Sequence, residues 1–285
     1  MRVLLTGYSG QLGHDAAAEL TRRQIPFLGV TSREMDLTRE AQVQAVLADY
    51  RPDAVLHCAA YTAVDRAEEE PERCMAVNAL GTRHLARGCA ALGAKLLYVS
   101  TDYVFSGEGT APYETTDPTG PLNVYGRSKL AGEDSVRELV ERYFIVRTSW
   151  LIGHRGNNFI KTMLRMAESR RELRVVDDQI GSPTFAADLA PLLVDILLSD
   201  RYGVYHAAGR GFCSWAELAE ETFRLAGRDA AVRRITTEEY AARALRPKNS
   251  RLSQASLARA GFGSLPPWQE SLKAFLRDLG QGGGL

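Results

Sequence analysis

The chain has 285 residues, enough to bury a large core in one large domain or in two unequal ones. Lysine plus arginine and aspartate plus glutamate each number 35, so the net charge is zero and no basic field favours nucleic acid as a partner. The 4 cysteines show neither metal-ligand spacing nor a disulfide pattern, and no apolar run approaches the roughly 18 residues of a membrane span. Without a signal segment, we expect a cytoplasmic protein that acts on a small molecule rather than at a membrane.

The first element is a short apolar run, Val3-Leu4-Leu5, which is typical of a buried parallel strand. Next comes a G-x-x-G-x-x-G loop formed by Gly7, Gly10 and Gly13, and then a helical pattern over 12–23. These glycines permit, in order, a tight turn, close approach of the backbone to a pyrophosphate, and close packing of helix on strand. The helix N-terminus adds free N–H groups and a positive dipole end. An ordinary strand-to-helix loop is the alternative, but the flanking elements favour a dinucleotide site.

The end of the second strand, predicted over 27–30, is where dinucleotide-binding proteins select their cofactor. An acidic residue there favours NAD through the ribose hydroxyls, whereas this chain has Thr31-Ser32-Arg33. Arg33 can pair with a 2′-phosphate, so NADPH is the predicted cofactor and NADH the alternative. Asp36 and Leu37 follow, and we expect them to contact the adenine.

A third buried strand is predicted over 52–60 and ends in small residues, which permit close approach of a ligand. Tyr61 and Thr62 lie just beyond it, at the strand end where open α/β sheets bind ligands. His57, within the apolar run, is expected to be a packed core histidine.

The pattern from 71 to 92 is helical, and Asn78 interrupts its apolar face. We expect Asn78 to bridge backbone or water near the site. The next strand, over 95–100, carries Thr101 at its end. Strands and helices alternating at this rhythm predict a doubly wound parallel α/β sheet of the Rossmann type.

Tyr125 and Lys129 lie on a helix predicted over 125–142, after a loop rich in glycine and proline. At i and i+4 they share a helix face, with Cβ atoms roughly 5–6 Å apart. An adjacent ammonium favours the phenolate and lowers the pKa of a tyrosine from its usual value of about 10. With the Thr101 hydroxyl to orient a carbonyl oxygen, these groups can polarise a ketone and protonate it as hydride arrives. Alone, such a pair is more often a solvated feature of a helix surface.

After a strand over 143–147 the alternation loosens. We therefore divide the chain into a dinucleotide-binding domain, residues 1–150, and a smaller substrate-binding part, residues 151–285, with some late strands returning to the first sheet. Trp150 follows the strand and is a candidate to stack on a sugar, with plain packing as the alternative.

Three further signals lie in the C-terminal part. Ser214 and Glu217 have the spacing of a helix capping box. Arg246, Lys248 and Arg251 either bind a diphosphate or form a solvated loop. A last amphipathic helix is predicted over 267–279, followed by a frayed tail over 280–285.

In this order, the glycine loop, Thr101 and Tyr125-x-x-x-Lys129 resemble the extended short-chain dehydrogenase/reductase family. Within this family, the resemblance is most specific to the members that reduce a keto group of a nucleotide sugar. Four motifs carry it: Ser100-Thr101-Asp102-Tyr103-Val104-Phe105, Tyr125-Gly126-x-Ser128-Lys129-Leu130-Ala131-Gly132-Glu133, Arg147-Thr148-Ser149-Trp150 and Asp178-Gln179-x-Gly181-x-Pro183-Thr184. It implies reduction of the 4-keto group of dTDP-6-deoxy-L-lyxo-4-hexulose to dTDP-L-rhamnose with NADPH or NADH.

The resemblance also assigns roles to residues. It implies that Tyr125 protonates the new alkoxide, Lys129 lowers the tyrosine pKa and holds the nicotinamide ribose, and Thr101 hydrogen-bonds the ketone. Asp102 and Trp150 are expected to contact the sugar. The implied cofactor contacts are Gly10, Gln11, Leu12, Val30, Asp36, Leu37, Ala60, Tyr61 and Thr62.

Some members of the family dimerise around magnesium held by acidic side chains. Asp15 and Asp188 are the candidates in this chain, so a homodimer is an open expectation, while no metal ligand is assigned.

Two rival functions share these motifs. A nucleotide-sugar dehydratase or epimerase has the same Tyr–Lys pair, but dehydratases typically follow the threonine with Asp-Glu, and this chain has Asp102-Tyr103. A non-catalytic NADP-binding regulatory subunit, like that of methionine adenosyltransferase, also keeps much of the pattern. The intact Thr101, Tyr125 and Lys129 favour an enzyme.

Overall fold

A six-stranded parallel sheet forms the centre of the structure, a computed structural model in which residues 1–281 are described. The strands are β1 (Val3–Thr6), β2 (Phe27–Val30), β3 (Ala54–His57), β4 (Lys95–Thr101), β5 (Tyr143–Thr148), β6 (Leu151–Ile152), β7 (Glu172–Val176), β8 (Ile180–Gly181), β9 (Thr184–Phe185), β10 (Gly203–His206), β11 (Cys213–Ser214), β12 (Ala231–Ile235) and β13 (Asn249–Ser250). The α-helices are α1 (Gln11–Arg22), α2 (Glu40–Tyr50), α3 (Val64–Ala67), α4 (Pro71–Met75), α5 (Gly81–Leu92), α6 (Val124–Leu139), α7 (Phe159–Ala167), α8 (Ala186–Leu198), α9 (Trp215–Ala226), α10 (Thr237–Tyr240), α11 (Ala255–Arg259) and α12 (Trp268–Gln281).

The order of the main sheet is β10-β5-β4-β3-β1-β2, and all neighbouring strands are parallel. Because the chain passes from β1 to β2 on one side and then to β3 on the other, a crevice opens beyond the carboxyl ends of β1 and β3. The predicted doubly wound parallel α/β fold is confirmed. The edge strand β10 comes from the C-terminal half of the chain, so that half contributes to the main sheet; the division at residue 150 itself stays a prediction.

The strands β1 and β3 are buried along their whole length, which explains their uninterrupted apolar sequences. One face of the sheet packs against α1 and α8, through residues such as Leu20 and Leu193. The other face packs against α2 and α5, through residues such as Leu47 and Leu85. His57 is buried in this layered core between Thr6 and Thr82, as predicted, and burial lowers its pKa to about 3.

At the amino edge of the sheet, three cationic side chains bind backbone carbonyl groups at the C-terminal ends of three helices. Arg2 donates to Arg51 O after α2 (2.7 Å), Arg142 to Gly93 O after α5 (3.0 Å), and Lys95 to Ser199 O after α8 (2.6 Å). Cations stabilise the negative end of a helix dipole and satisfy its last carbonyls. This edge therefore stabilises the fold, while the opposite edge is left for ligands.

The smaller sheets are β11-β8-β13, β12-β7 and β6-β9, and they lie in the C-terminal part of the chain. The predicted capping box is confirmed, because Ser214 Oγ accepts from Glu217 N (3.0 Å) and the Glu217 carboxylate accepts from Ser214 N (2.8 Å). The four cysteines are free thiols. Within residues 1–281, the helices are too short or too polar to cross a membrane.

Three predicted helices differ from the observed ones. The helix that begins near Tyr125 ends at Leu139 rather than 142, because Val140 adopts an extended conformation. The helix from Pro71 to Leu92 contains a π-helical turn at Ala76–Leu80. The last helix continues through Gln281, so the prediction of a frayed tail was wrong for residues 280 and 281, and its remainder, 282–285, lies outside the described residues.

Candidate active site

A cleft of about 680 Å³ lies at the carboxyl edge of the main sheet. Its walls come from the glycine loop after β1, the loops after β2, β3 and β4, the start of α6, the segment that follows β5, and the first residue of α9. Most of the predicted site residues line it, namely Gly7, Gly10, Gln11, Leu12, Gly13, Val30, Asp36, Leu37, Ala60, Thr62, Thr101, Asp102, Tyr125, Lys129 and Trp150. The fold therefore brings these side chains to one place, as parallel strands that end at the same edge must do.

The glycine loop has the geometry of a phosphate-binding turn. Gly7 has φ +69°, a conformation that favours glycine, and Gly10 N donates to Gly7 O (2.9 Å). A Cβ on Gly13 would lie 2.1 Å from Gly7 O, so helix α1 can approach the loop only because that residue is glycine. The first N–H groups of α1 have no partner within the helix and are available to an anion in the cleft. The loop thus fits a dinucleotide pyrophosphate.

Thr101 and Asp102 form a hydrogen-bonded pair at the end of β4. Thr101 Oγ1 donates to Asp102 Oδ1 (2.9 Å) and accepts from Tyr103 N (3.2 Å). Within the described residues, the other carboxylate oxygen, Asp102 Oδ2, is buried without a hydrogen-bond partner. Burial raises the pKa of Asp102 to about 6. A buried acceptor beside the cleft is suited to a donor on a ligand.

Tyr125 lies in the first turn of α6, whose N-terminus is fixed by Asn123. The Asn123 side chain accepts from Gly126 N (2.8 Å) and donates to Leu245 O (2.8 Å), which ties this helix start to the C-terminal part. Burial raises the pKa of Tyr125 well above its usual value, and the neighbouring Thr101 hydroxyl only partly opposes that rise.

Lys129 lies one turn further along α6 and is buried. Its ammonium donates to Val99 O (2.7 Å) and lies 4.0 Å from the centre of the Tyr98 ring. Burial lowers the pKa of Lys129 to about 7. In this arrangement desolvation of the phenol outweighs any lowering of its pKa by the Lys129 ammonium, which bonds the Val99 carbonyl, and the role of Lys129 towards Tyr125 stays a prediction.

Asn78 links the catalytic helix to the loop after β3. It lies in the π-helical turn, is 1% exposed, and bonds both Tyr61 N (2.7 Å) and Tyr61 O (3.0 Å). Its side chain also donates to Ser128 Oγ (2.9 Å), and Ser128 donates to Tyr125 O (2.7 Å). The expected bridge to backbone is therefore present, and the π-turn directs this side chain inward, as such turns often do at functional sites.

Aromatic rings form the wall of the cleft on the side of the C-terminal part. Trp150 has φ +48° and stacks on Trp215, with ring centres 3.6 Å apart and planes 12° from parallel. Phe159 also packs on Trp215, with ring centres 4.6 Å apart and planes tilted by 49°. One face of Trp150, the candidate to stack on a sugar, is thus covered by Trp215, a residue that the motifs do not single out. Its position directly after the capping Ser214 does not reveal this contact.

Two predicted cofactor residues lie outside the cleft walls. The Tyr61 hydroxyl donates to Glu70 (3.1 Å) and its ring lies near Arg73, so only its backbone is near the site. Arg33 is exposed on the loop after β2, while its neighbours Thr31 and Ser32 line the cleft.

The cation cluster near residue 250 is held mainly by acidic side chains. Arg246 makes a two-point contact with Asp65 (3.0 and 2.6 Å), and Lys248 contacts Asp178 (3.0 Å) and Glu238 (2.9 Å). The third cation, Arg251, donates to the amide oxygen of Asn249 (3.0 Å). Because two of the three charges are already neutralised, the structure favours the solvated loop over a diphosphate site.

Asp15 and Asp188, the candidate magnesium ligands, both line a small cavity of about 40 Å³. Within residues 1–281, histidine, cysteine and acidic side chains form no group of three or more that could hold a metal ion. No metal ligand is assigned, and magnesium between two copies of the chain stays an open expectation.

Tyr125, the glycine loop and the aromatic pair of Trp150 and Trp215 line the same cleft. This combination defines an NAD(P)H-dependent oxidoreductase of the extended short-chain dehydrogenase/reductase class. The chain matches the family model described as RmlD substrate binding domain over residues 1–281. It belongs to this family, that of the dTDP-4-dehydrorhamnose reductases.

Two curated relatives illustrate the similarity. The chain is 45% identical over 278 residues to dTDP-4-dehydrorhamnose reductase of Streptomyces griseus, covering 95% of this chain and 91% of that protein. It is 38% identical over 297 residues to the enzyme of the same name from Escherichia coli, covering 98% of each. Among solved structures, dTDP-4-dehydrorhamnose reductase from Bacillus anthracis in complex with NADP superposes with a TM-score of 0.95 and is 44% identical, covering 97% of this chain and 99% of that one.

Proposed function

We propose that this chain uses NADPH to reduce the 4-keto group of dTDP-6-deoxy-L-lyxo-4-hexulose, giving dTDP-L-rhamnose. The observation that carries the proposal is the convergence of Thr101, Tyr125 and Lys129 in one cleft beside the glycine loop. Relatives named dTDP-4-dehydrorhamnose reductase, at 38–45% identity over almost the whole chain, supply the substrate class.

The chemistry requires a hydride at the carbonyl carbon and a proton at the carbonyl oxygen. A reduced nicotinamide, when bound, supplies the hydride with its electron pair and becomes oxidised. Tyr125 then gives its hydroxyl proton to the oxygen, so that the C=O bond becomes C–OH and the tyrosine becomes a phenolate. The raised pKa of Tyr125 keeps the proton on the phenol until an alkoxide develops.

Lys129 and Thr101 assist this transfer in the proposal. With a pKa of about 7, the Lys129 ammonium can stabilise the phenolate by its charge and return a proton at neutral pH. Thr101, whose hydroxyl now donates to Asp102, can turn its proton towards the ketone oxygen. Asp102 Oδ2, buried and unpaired among the described residues, is suited to accept from a sugar hydroxyl.

The cofactor is proposed to be NADPH, with NADH as a slower substitute. The Bacillus anthracis relative was solved with NADP, and Arg33 is an exposed cation beside the two residues, Thr31 and Ser32, that line the adenosine end of the cleft. Gln11, Leu12 and Gly13, the first residues of α1, would hold the pyrophosphate through backbone N–H groups, and Gly10 would let the backbone approach it closely.

The experiment that tests this function follows NADPH oxidation by its near-ultraviolet absorbance, with enzymatically generated dTDP-6-deoxy-L-lyxo-4-hexulose and the purified chain. Turnover, with dTDP-L-rhamnose as the product by NMR, is the expected result. Binding of NADPH without turnover would contradict the assignment and favour a regulatory NADP-binding protein.

A second candidate is a reductase for another dTDP 4-keto-6-deoxy sugar. The observation behind it is a relative from Streptomyces niveus named dTDP-4-keto-6-deoxy-D-glucose reductase, 38% identical over 273 residues. The two substrates differ in configuration at the sugar ring, so parallel assays with each, under the same conditions, decide between them by the ratio of kcat/KM.

We also propose that the chain works in the cytoplasm, where its free thiols stay reduced and NADPH is available. A homodimer is part of the same proposal, and size-exclusion chromatography with light scattering tests it. Since no basic field is present, nucleic acid is not an expected partner.

A further inference from the structure

The side chain of Gln11, a residue that lines the cleft, binds the C-terminal part of the chain. Its Oε1 accepts from Gly153 N (2.8 Å) and from Asn158 Nδ2 (3.1 Å). Asn158 Nδ2 also donates to Gly153 O (2.8 Å), so the three residues form a closed set of hydrogen bonds. Gln11 is the first residue of α1, within the glycine loop, and it had been expected only as a cofactor contact.

Steric fit supports the same contact. A Cβ on Gly153 would lie 2.8 Å from Gln11 Cβ, so the two segments approach this closely only because residue 153 is glycine. Lys161 holds the rest of the loop by donating to His154 O and Gly156 O. The loop of residues 153–158 is thus fixed at one end by Gln11 and at the other by α7.

This loop adjoins the glycine turn and forms part of the cleft wall beside it. Asn157 and Asn158 line the same cleft as Gly10 and Leu12. Asn158 is in addition the N-cap of α7, where its Oδ1 accepts from Lys161 N (3.1 Å). One asparagine therefore fixes a helix of the C-terminal part with its oxygen and the cofactor loop with its nitrogen.

We propose that Gln11 and Asn158 are positioning residues that hold the loop of residues 153–158 as the second wall of the pyrophosphate groove, so that binding of the nicotinamide half of the cofactor depends on the substrate-binding part. This inference rests on the proposed function, because it takes NADPH as the ligand. In this proposal the adenosine half of the cofactor would lie at the other end of the cleft, by β2. Its binding would not depend on the bridge, by which we mean the hydrogen bonds of Gln11 with Gly153 and Asn158.

Two variants break the bridge with little other change. Gln11→Met keeps the length of the side chain and removes the acceptor. Asn158→Ser keeps an N-cap that is as good as asparagine and removes the amide nitrogen. Neither adds a charge near the phosphates, and thermal melts close to that of the unmodified chain show that both are folded.

The probes are NADPH and adenosine 2′,5′-bisphosphate, which lacks the pyrophosphate and nicotinamide. By calorimetry we expect each variant to bind NADPH about tenfold more weakly, as loss of one good hydrogen-bonded contact implies, and the bisphosphate within about twofold of the unmodified chain. The double variant should lose little more than either single one, since both act through one contact.

Equal weakening for both probes would overturn the inference, because it would mean that the variants disturb the whole nucleotide-binding part, including the adenosine end of the cleft. Unchanged NADPH affinity would overturn it as well. Failure of the proposed function is distinct, because the unmodified chain would then turn over no sugar, or would bind no NADPH at all, and in the latter case both proposals fall.

Discussion

The guanidinium of Arg147, at the end of β5, donates two hydrogen bonds to the carboxylate of Glu133 on α6. Nε lies 2.9 Å from Oε1, and Nη2 lies 2.8 Å from Oε2. Both side chains are buried, with exposures of 1% and 0%. Glu133 lies one helical turn beyond Lys129, so this pair fixes the helix that carries the catalytic groups to the strand beside Thr101. The guanidinium also lies over the Phe105 ring, at 4.9 Å.

Arg147→Met should destabilise the fold by about 3–5 kcal/mol, because it leaves the Glu133 carboxylate buried without its main partner. Denaturant unfolding measures the change. Arg224→Met is the matched control, since Arg224 makes a similar contact with Glu221 at the surface, where an ion pair contributes little. A loss as small as that of the control would show that Glu133 finds water or another cation.

Tyr125→Phe should lower kcat by about 10²–10⁴-fold, the range for loss of a positioned proton donor, with NADPH affinity within about threefold. Stopped-flow or steady-state oxidation of NADPH gives kcat, and fluorescence titration gives the affinity. Tyr143→Phe removes a hydroxyl at the opposite edge of the sheet and should keep full activity. Retained turnover in Tyr125→Phe would exclude this residue as the proton donor.

Asp102 gives a pH dependence whose sign follows from its environment. Burial raises its pKa from 3.8 to about 6, so the folded state binds more protons than the unfolded state between these values, and stability falls as pH rises through that window. At about 1.4 kcal/mol per pH unit, the loss is about 3 kcal/mol above pH 6.

Asp102→Asn should therefore remove this slope. The difference in the free energy of unfolding, variant minus unmodified chain, should increase from pH 4 to pH 6 and then stay level. We also expect kcat/KM for the sugar to be lower in the variant. Unfolding in urea at several pH values measures it. Parallel pH profiles for the two proteins would mean that Asp102 titrates normally.

Arg33→Ala should reduce the preference for NADPH over NADH by about tenfold, as expected for loss of one charged contact to a 2′-phosphate. The ratio of kcat/KM for the two cofactors is the measurement, and activity with NADH should stay constant. Arg39→Ala, a nearby exposed cation that contacts Asp36, is the comparison variant. An unchanged ratio would place the 2′-phosphate, if bound, on Ser32 and Thr31 alone.

Gly181→Ala should weaken sugar binding without affecting NADPH. A Cβ on Gly181 would lie 2.6 Å from the Trp150 ring, so the stacked pair of Trp150 and Trp215 must shift. We expect KM for the sugar to rise several-fold. Gly263→Ala is the control, because a Cβ there meets nothing within 4 Å. The same KM in both variants would show that the aromatic wall does not touch the sugar.

Features that depend on residues close in sequence could be predicted from the sequence. The glycine loop before α1, the pairing of Tyr125 with Lys129 on one helix face, and the capping box at Ser214 all follow from helix geometry over a few residues. The alternation of buried strands and helices likewise predicted the parallel sheet, and with it the edge where Thr101 lies.

Only the tertiary structure decided contacts between distant segments. Trp215 covers Trp150, Gln11 binds Asn158, and the Lys129 ammonium faces the Val99 carbonyl because of loop paths and packing that no local pattern encodes. Burial has the same origin: it raises the pKa of Tyr125 where spacing alone predicted a lower one. The sequence by itself thus indicated which groups are candidates to carry the chemistry, while packing decided their surroundings, because desolvation and long-range contacts depend on the whole fold.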